Sequence, residues 1–169
     1  MGNWMKAAWL ALLACLALPA QAAPISDPEA AMRAFYTALE KETPAPAIPW
    51  SARMEALFAL DLKEAQAAGD EIGRVDFDYF INGQDGQIAK SVVTAHAVDG
   101  APGRRIVVVR FENFDMPQEN HFYWQRDAAG AWTLDDVRSF GEDGGFVLSH
   151  LLQYGADPAE KTRAAARVP

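Results

Sequence analysis

The sequence contains almost no cysteine and little histidine. Its single cysteine, Cys15, lies in the N-terminal apolar segment, so the chain after residue 22 has none. Without thiols, that part of the chain can form no disulfide bond, bind no metal through cysteine and carry no thiol nucleophile. The three histidines, His96, His121 and His150, lack the i, i+3 or i+4 spacing of helical metal ligands. We therefore predict no catalytic residue of these types, no metal site and no cofactor.

Basic residues are also scarce. The chain has 15 Lys and Arg against 23 Asp and Glu, a formal net charge of −8. Binding to nucleic acid or to anionic lipid relies on a basic surface. We therefore predict no nucleic-acid partner, whereas a small molecule or a periplasmic protein stays open as the partner, and the oligomeric state is not predicted.

The first 22 residues predict export. Lys6 precedes an apolar run over residues 7–18, and the segment ends with Ala20 and Ala22 on either side of Gln21. A positive start, a short apolar run and an A-x-A end are typical of a cleaved secretory signal peptide. Because the run is short for a bilayer span, we expect cleavage near Ala22, no membrane span afterwards and a periplasmic or secreted product.

The same segment contains a competing signal. The stretch Leu12-Leu13-Ala14-Cys15 resembles a bacterial lipobox, in which the cysteine is lipidated. Lipid attachment at Cys15 would tether the mature protein to a membrane, and it is the alternative to cleavage near Ala22.

Two amphipathic helices are predicted after the leader. Ser26 and Glu29 have the spacing of a capping box at the start of the first helix. Prolines at 44, 46 and 49 interrupt helical structure, and a second helix is predicted from a Ser51 cap to a Gly69 stop. The apolar positions are Met32, Phe35, Tyr36 and Leu39 in the first helix and Met54, Leu57, Phe58, Leu62 and Ala65 in the second.

The pattern changes from helical to alternating after Arg74. Residues 75–87 are predicted to be irregular with a short strand, and four strands are expected over 88–98, 104–114, 118–126 and 131–140. Gly130 suits the left-handed position of a three-residue hairpin loop, and a last short helix runs from Phe146 to Tyr154. We therefore predict one α+β domain over residues 23–155, with two N-terminal helices covering a strongly bent antiparallel sheet of about four strands, and a flexible tail over 156–169.

This order of elements resembles the nuclear-transport-factor-two-like, or cystatin-like, cone fold over most of residues 27–154. Within that superfamily, the chain resembles an exported bacterial group, domain-of-unknown-function family 3828. The resemblance is carried by Phe35-Tyr36, by Asp78-Tyr79-Phe80 with Gln84-Asp85, and by the stretch from Trp132 to Val137. It implies a cone-shaped fold and an exported location, and it assigns no chemistry.

The loop at Gly130 fixes the predicted register of the last two strands. With residues 128–130 as the loop, Asp127 faces Ala131, Trp124 faces Leu134 and Phe122 faces Asp136, so even-numbered residues share one face. The same parity is assumed for 104–114, although Pro117 leaves that turn geometry open. The predicted ligand-binding residues on this face are Arg110, Asn120, Phe122, Trp124, Trp132 and Asp136.

Two interpretations of this face compete. An aromatic floor with a few polar groups at its mouth is a common small-molecule site. Alternatively, Arg110 and Asp136 form a cross-strand charge pair and the aromatic residues are simply core. Acid–base catalysis by Asp136 would need a partner such as His121 or Tyr123, which the parity places on the opposite face unless a β-bulge re-aims one of them.

An oxygen-rich segment over residues 76–87 invites comparison with a calcium loop. Aligned from Asp76 as an EF-hand loop, Ile81 replaces the turn glycine and Gln87 replaces the bidentate glutamate. We predict a structural turn here, and a looser cation site is the alternative.

These observations favour an exported, periplasmic and non-enzymatic binding module for a small molecule, a peptide or a protein partner. One alternative is a cone-fold enzyme of the isomerase or hydrolase type that uses Asp136. A second is an inhibitor or immunity-type interaction protein that works through its acidic surface.

Overall fold

The computed structural model describes residues 24–140 and 145–155. The predicted leader, its cleavage site, Cys15 and the predicted tail lie outside the described residues. The elements are α1 (Pro28–Glu40), α2 (Ala52–Ala68), β1 (Ile88–Ala97), β2 (Arg104–Asn113), β3 (Met116–Arg126), β4 (Trp132–Ser139) and α3 (Leu148–Tyr154). The described chain is therefore α+β, as predicted, with an open antiparallel sheet in the order β1-β2-β3-β4.

Helix α1 begins one residue later than the predicted capping box implies. Asp27 is the N-cap, and its carboxylate accepts hydrogen bonds from the backbone N–H groups of Glu29 at 2.9 Å and Ala30 at 3.4 Å. Pro28 occupies the first helical position, where its missing N–H costs nothing, so the residue before it caps the helix. Met32 and Tyr36 on the predicted apolar face are buried, as expected.

Helix α2 has the predicted ends, and Met54, Leu57 and Phe58 of its predicted apolar stripe pack into the core, whereas Leu62 does not. The Ser51 side chain accepts from the Met54 N–H, and Gly69 ends the helix at a φ of +85°. Leu62, predicted to be apolar core, is 47% exposed, whereas Asp61 beside it is buried. The reason is Arg74, whose backbone N–H and guanidinium both bind the Asp61 carboxylate, at 3.0 and 2.9 Å. A paired carboxylate can be buried at a position where the periodicity calls for a leucine.

The strands lie within two residues of their predicted bounds, and β2 connects to β3 through a two-residue turn. Asn113 lies opposite Met116, and the turn residues Phe114 and Asp115 have φ values of +50° and +62°. Residues 75–87 are irregular apart from a bridge between Asp78 and Gly83.

The register of β3 against β4 contains a bulge that the prediction did not include. Gly130 has a φ of +85° and Trp124 lies opposite Leu134, as predicted. Beyond that pair, Asp135 is an extra residue in β4, so Asp136 lies opposite Tyr123 and Val137 lies opposite Phe122. The predicted pairing of Phe122 with Asp136 is therefore wrong, because one inserted residue reverses the face of every side chain after it.

The assumed parity of β2 is also wrong. Val107 lies opposite Phe122 and Arg110 lies opposite Glu119, so odd-numbered residues of β2 share a face with even-numbered residues of β3. The cause is the two-residue turn at Phe114 and Asp115, which sets this pairing. We call the face that carries Val107, Val109, Phe111, Phe122 and Trp124 the inner face. The opposite face, the outer face, carries Val108, Arg110, Glu119, His121, Tyr123, Asp136 and Arg138.

Candidate functional site

The six predicted ligand-binding residues do not lie on one face. Asn120, Phe122, Trp124 and Trp132 lie together on the inner face, whereas Arg110 and Asp136 lie on the outer face. The predicted cluster of these two charged residues beside the aromatic floor is therefore not formed.

The aromatic members of the set are packed into the core. Phe122, Trp124 and Trp132 are 0%, 1% and 2% exposed. The Phe80 ring stacks on Phe122 with 5.6 Å between centroids, and the Tyr36 ring of α1 meets Phe122 edge-on at 6.2 Å. A ligand can contact these rings only if the core opens.

Asn120 is fully buried and holds the irregular segment against the sheet. Its side-chain amide donates to the carbonyl oxygens of Tyr79 at 3.2 Å and Phe80 at 3.1 Å, and its amide oxygen accepts from Asn82 at 3.0 Å. The hydroxyl of Tyr36 also donates to the Phe80 carbonyl, and burial raises the pKa of this phenol well above its ordinary value. The Asn120 amide therefore makes its hydrogen bonds within the protein. Those bonds satisfy backbone carbonyl groups that the segment would otherwise leave unpaired.

Asp136 fixes the start of α3. Its carboxylate accepts from the Ser149 N–H at 3.0 Å, from the Ser149 hydroxyl at 2.5 Å and from the Val137 N–H at 2.9 Å. The N-cap residue of this helix, Val147, provides no side-chain hydrogen bond. Asp136 therefore caps the N-terminus of α3 from the neighbouring strand.

The bulge residue Asp135 connects β4 to the start of α2. Its carboxylate accepts from the Ser51 hydroxyl at 2.7 Å, from Arg53 Nε at 3.1 Å and from the Gln125 amide at 3.0 Å. Sequence reasoning did not select Asp135. No local pattern marks it, because its hydrogen-bond partner Ser51 lies 84 positions away in the chain.

Arg110 pairs with Glu119 and not with Asp136. The Arg110 Nε atom lies 2.7 Å from Glu119 Oε2, and Glu119 Oε1 lies 2.9 Å from His121 Nε2. The predicted charge pair between Arg110 and Asp136 is therefore wrong, since β2 places Arg110 directly opposite Glu119. We call Arg110, Glu119 and His121 the outer-face row. The spacing of Glu119 and His121 along one predicted strand was the signal that could have found it.

Burial and charge set the protonation of this row. Burial lowers the pKa of His121, which is 0% exposed, and the hydrogen bond that its imidazole donates to Glu119 only partly opposes that effect. Burial alone would raise the pKa of Glu119, but hydrogen bonds from His121 and Arg110 outweigh it and lower the pKa. At neutral pH both shifts favour a neutral imidazole whose Nε2–H donates to an ionised Glu119, and the Phe140 ring centroid lies 4.4 Å from that of the imidazole.

An open depression of about 390 Å³ lies beside the outer-face row. Its lining includes Arg110 and Glu119 of the outer-face row, together with Lys90, Glu112, Pro117 and Phe140. Lys90 and Glu112 form an ion pair at 2.8 Å. The charged groups of this depression are paired with one another, and the imidazole beneath is buried, so the arrangement suits polar contacts with a partner better than proton transfer.

The oxygen-rich segment folds as a turn. The Asp78 carboxylate accepts from the Phe80 N–H at 2.8 Å, and burial raises the pKa of Asp78. Across residues 24–140 and 145–155, no three His, Asp or Glu side chains are grouped so that they could hold a metal ion.

Comparison with known proteins gives no match to a protein-family model, to a curated protein or to a solved structure. Among the described residues, no helix has both the length and the apolar character needed to cross a membrane.

Proposed function

We propose that this chain is an exported, periplasmic binding module that engages a peptide or protein partner and performs no catalysis. The observation that carries the proposal is the burial of the predicted aromatic floor. Phe122, Trp124 and Trp132 are at most 2% exposed. A small molecule bound over this floor would have to displace the Phe80 and Tyr36 rings, whereas a partner at the surface displaces nothing.

The proposal includes a cone-shaped fold of the nuclear-transport-factor-two-like type, resembling family 3828, with two N-terminal helices over one side of a bent sheet. The α+β element order supports it. So does the packing of Tyr36 in α1 against Phe111 and Phe122 on the inner face, with ring centroids 5.1 and 6.2 Å apart.

One feature of the structure favours the enzyme alternative, and two features disfavour it. The bulge at Asp135 places Asp136 on the same face as His121, which the predicted register did not allow. However, the Asp136 carboxylate is occupied by Ser149, and His121 is buried and bound to Glu119. A general base must reach the proton that it removes. These contacts therefore favour binding over acid–base catalysis.

The binding proposal is tested by cross-linking in intact cells, followed by reconstitution with the recovered partner. We expect a protein or peptide that forms a complex of fixed stoichiometry with the purified chain and raises its melting temperature with concentration. A saturable rise in melting temperature with a metabolite, in the absence of any protein partner, would contradict the proposal. So would turnover of a substrate that is abolished by Asp136→Asn without loss of folding.

Export has its own test. Expressed in a bacterium, the chain should accumulate in the periplasm with Ala23 as its first residue. Cys15→Ser should change neither the location nor the mass of this mature product. A membrane-bound, lipid-labelled product that disappears with Cys15→Ser would instead establish the lipoprotein alternative.

A further inference from the structure

The turn between β2 and β3 places an aromatic side chain at an unfavourable backbone position. Phe114 and Asp115 both have positive φ values, +50° and +62°, in a two-residue turn. Turns of this kind favour Asn-Gly, because a bulky residue with positive φ is strained. Phenylalanine at position 114 therefore makes this turn less stable than an Asn-Gly pair would make it.

The folded chain does not use this phenylalanine as core. Phe114 is 55% exposed, and Met116 at the end of the turn is 51% exposed. The Phe114 N–H donates to the Gln87 carbonyl at 3.1 Å, which almost any residue could do. A strained residue with an exposed apolar side chain points to an interaction surface.

A recess of about 230 Å³ adjoins this turn. Its lining includes the apolar residues Leu39 and Ile88 and the acidic residues Glu40, Glu42 and Asp115, of which Glu40 accepts a hydrogen bond from the Ser91 N–H at 2.7 Å. None of the described residues that line the recess is Lys or Arg. The nearby cation Lys90 lies 2.8 Å from Glu112 and also interacts electrostatically with Asp115. The lining of the recess beside Phe114 therefore has three acidic residues and no basic one, an excess of the same sign as the net charge of −8 of the whole chain.

We propose that the turn from Phe114 to Met116, with the adjoining recess, is the docking surface for a basic segment of a partner protein. A Lys or Arg side chain of the partner enters the recess beside the carboxylates, and an apolar neighbour packs on Phe114. Opposite charge steers the encounter, and burial of the phenylalanine holds the complex. This inference rests on the proposed function and adds the surface and the chemistry of the partner.

The decisive variant separates stability from binding. Replacing Phe114→Asn together with Asp115→Gly creates the favoured Asn-Gly turn, so the melting temperature should rise by about 3 °C. The probe is a short fluorescent peptide of alternating lysine and leucine, with a glutamate-for-lysine peptide as its counterpart. The parent chain should bind the lysine peptide saturably and not the glutamate peptide, and the double variant should lose affinity about tenfold or more.

Matched controls locate the effect. Ile72→Ser removes another exposed apolar side chain, 64% exposed, and should leave affinity unchanged. Glu42→Gln with Asp115→Asn should weaken binding and reduce its salt dependence. Asp70→Asn with Glu71→Gln removes the same amount of charge from exposed positions elsewhere. It should change neither the affinity nor its salt dependence.

Failure of the lysine peptide to bind, equal binding of both peptides, or full affinity in the Asn-Gly variant would each overturn the docking surface. These results leave the proposed function standing if cells yield a protein partner that binds elsewhere on the chain. Absence of any protein partner defeats the proposed function itself, so the two failures are distinguishable.

Discussion

The two faces of one sheet are stabilised in different ways, although the same strands build both. On the inner face, Val107, Val109 and Phe111 of β2 are almost fully buried among apolar side chains. On the outer face, Arg110 of the same strand lies 51% exposed and is held by an ion pair with Glu119. Alternation along β2 thus separates a face that is buried as apolar core from a face where buried Val108 lies beside the exposed charge of Arg110.

The largest expected effect lies on the inner face. Phe122→Ala should lower the free energy of unfolding by about 4 kcal/mol, because it removes a fully buried ring and leaves a cavity beneath Phe80. Val92→Ala on the outer face, 58% exposed, should change it by less than about 0.5 kcal/mol. Chemical denaturation measures both, and similar losses in the two variants would remove the distinction between the faces.

The next effect tests the link between β4 and α3. Asp136→Ala should cost about 2 kcal/mol, since the Ser149 N–H and hydroxyl lose their acceptor. Ser149→Ala should cost less, because the backbone N–H keeps its bond to Asp136. Hydrogen exchange over 148–154 should quicken in the Asp136 variant, and unchanged protection there would show that the carboxylate does not hold this helix.

The outer-face row should respond to pH. Because burial lowers the folded-state pKa of His121 below 6.5, the unfolded chain binds more protons, and stability falls as the pH drops through about 6.5. Glu119, whose folded-state pKa is lowered, adds a second loss below about pH 4.5. An NMR titration should show His121 protonating below pH 6.5, and lower still in Glu119→Gln. Titration at or above 6.5 in the parent would contradict this assignment.

The smallest effect is expected from Arg110. Its side chain is half exposed, so Arg110→Ala should cost at most about 1 kcal/mol at low salt, and less at high salt. Melting curves at two ionic strengths measure it. A loss comparable to that of Phe122→Ala would mean that the outer face contributes to stability as strongly as the inner face.

Sequence patterns identified the elements well and the relations between them poorly. Helical spacing, alternation and the glycines at 69, 130 and 155 placed all seven elements close to their bounds. Those signals are local, whereas the bulge at Asp135 depends on Ser51 and Arg53, far away in the chain. Alternation alone treats Asp135 as an ordinary strand residue, so it cannot reveal a register shift.

The same limit explains the misplaced site. Counting alternate residues predicts that Arg110 and Asp136 lie on the aromatic face, but a bulge or a different turn length reverses which residues face that side. In contrast, Glu119 and His121 lie two apart on one strand, so their common face needed no knowledge of a partner strand. The pairing next to the Gly130 loop, Trp124 with Leu134, was therefore predicted correctly, whereas positions beyond the bulge or across the shorter turn were not.

The central claim is that the bulge at Asp135 places Asp136 on the outer face, away from the aromatic core. Cross-strand backbone NOEs of the labelled protein test it most directly. The account predicts contacts that pair Phe122 with Val137 and Tyr123 with Asp136. Contacts that pair Phe122 with Asp136 would contradict it, since they would return Asp136 to the face of Phe122 and Trp124.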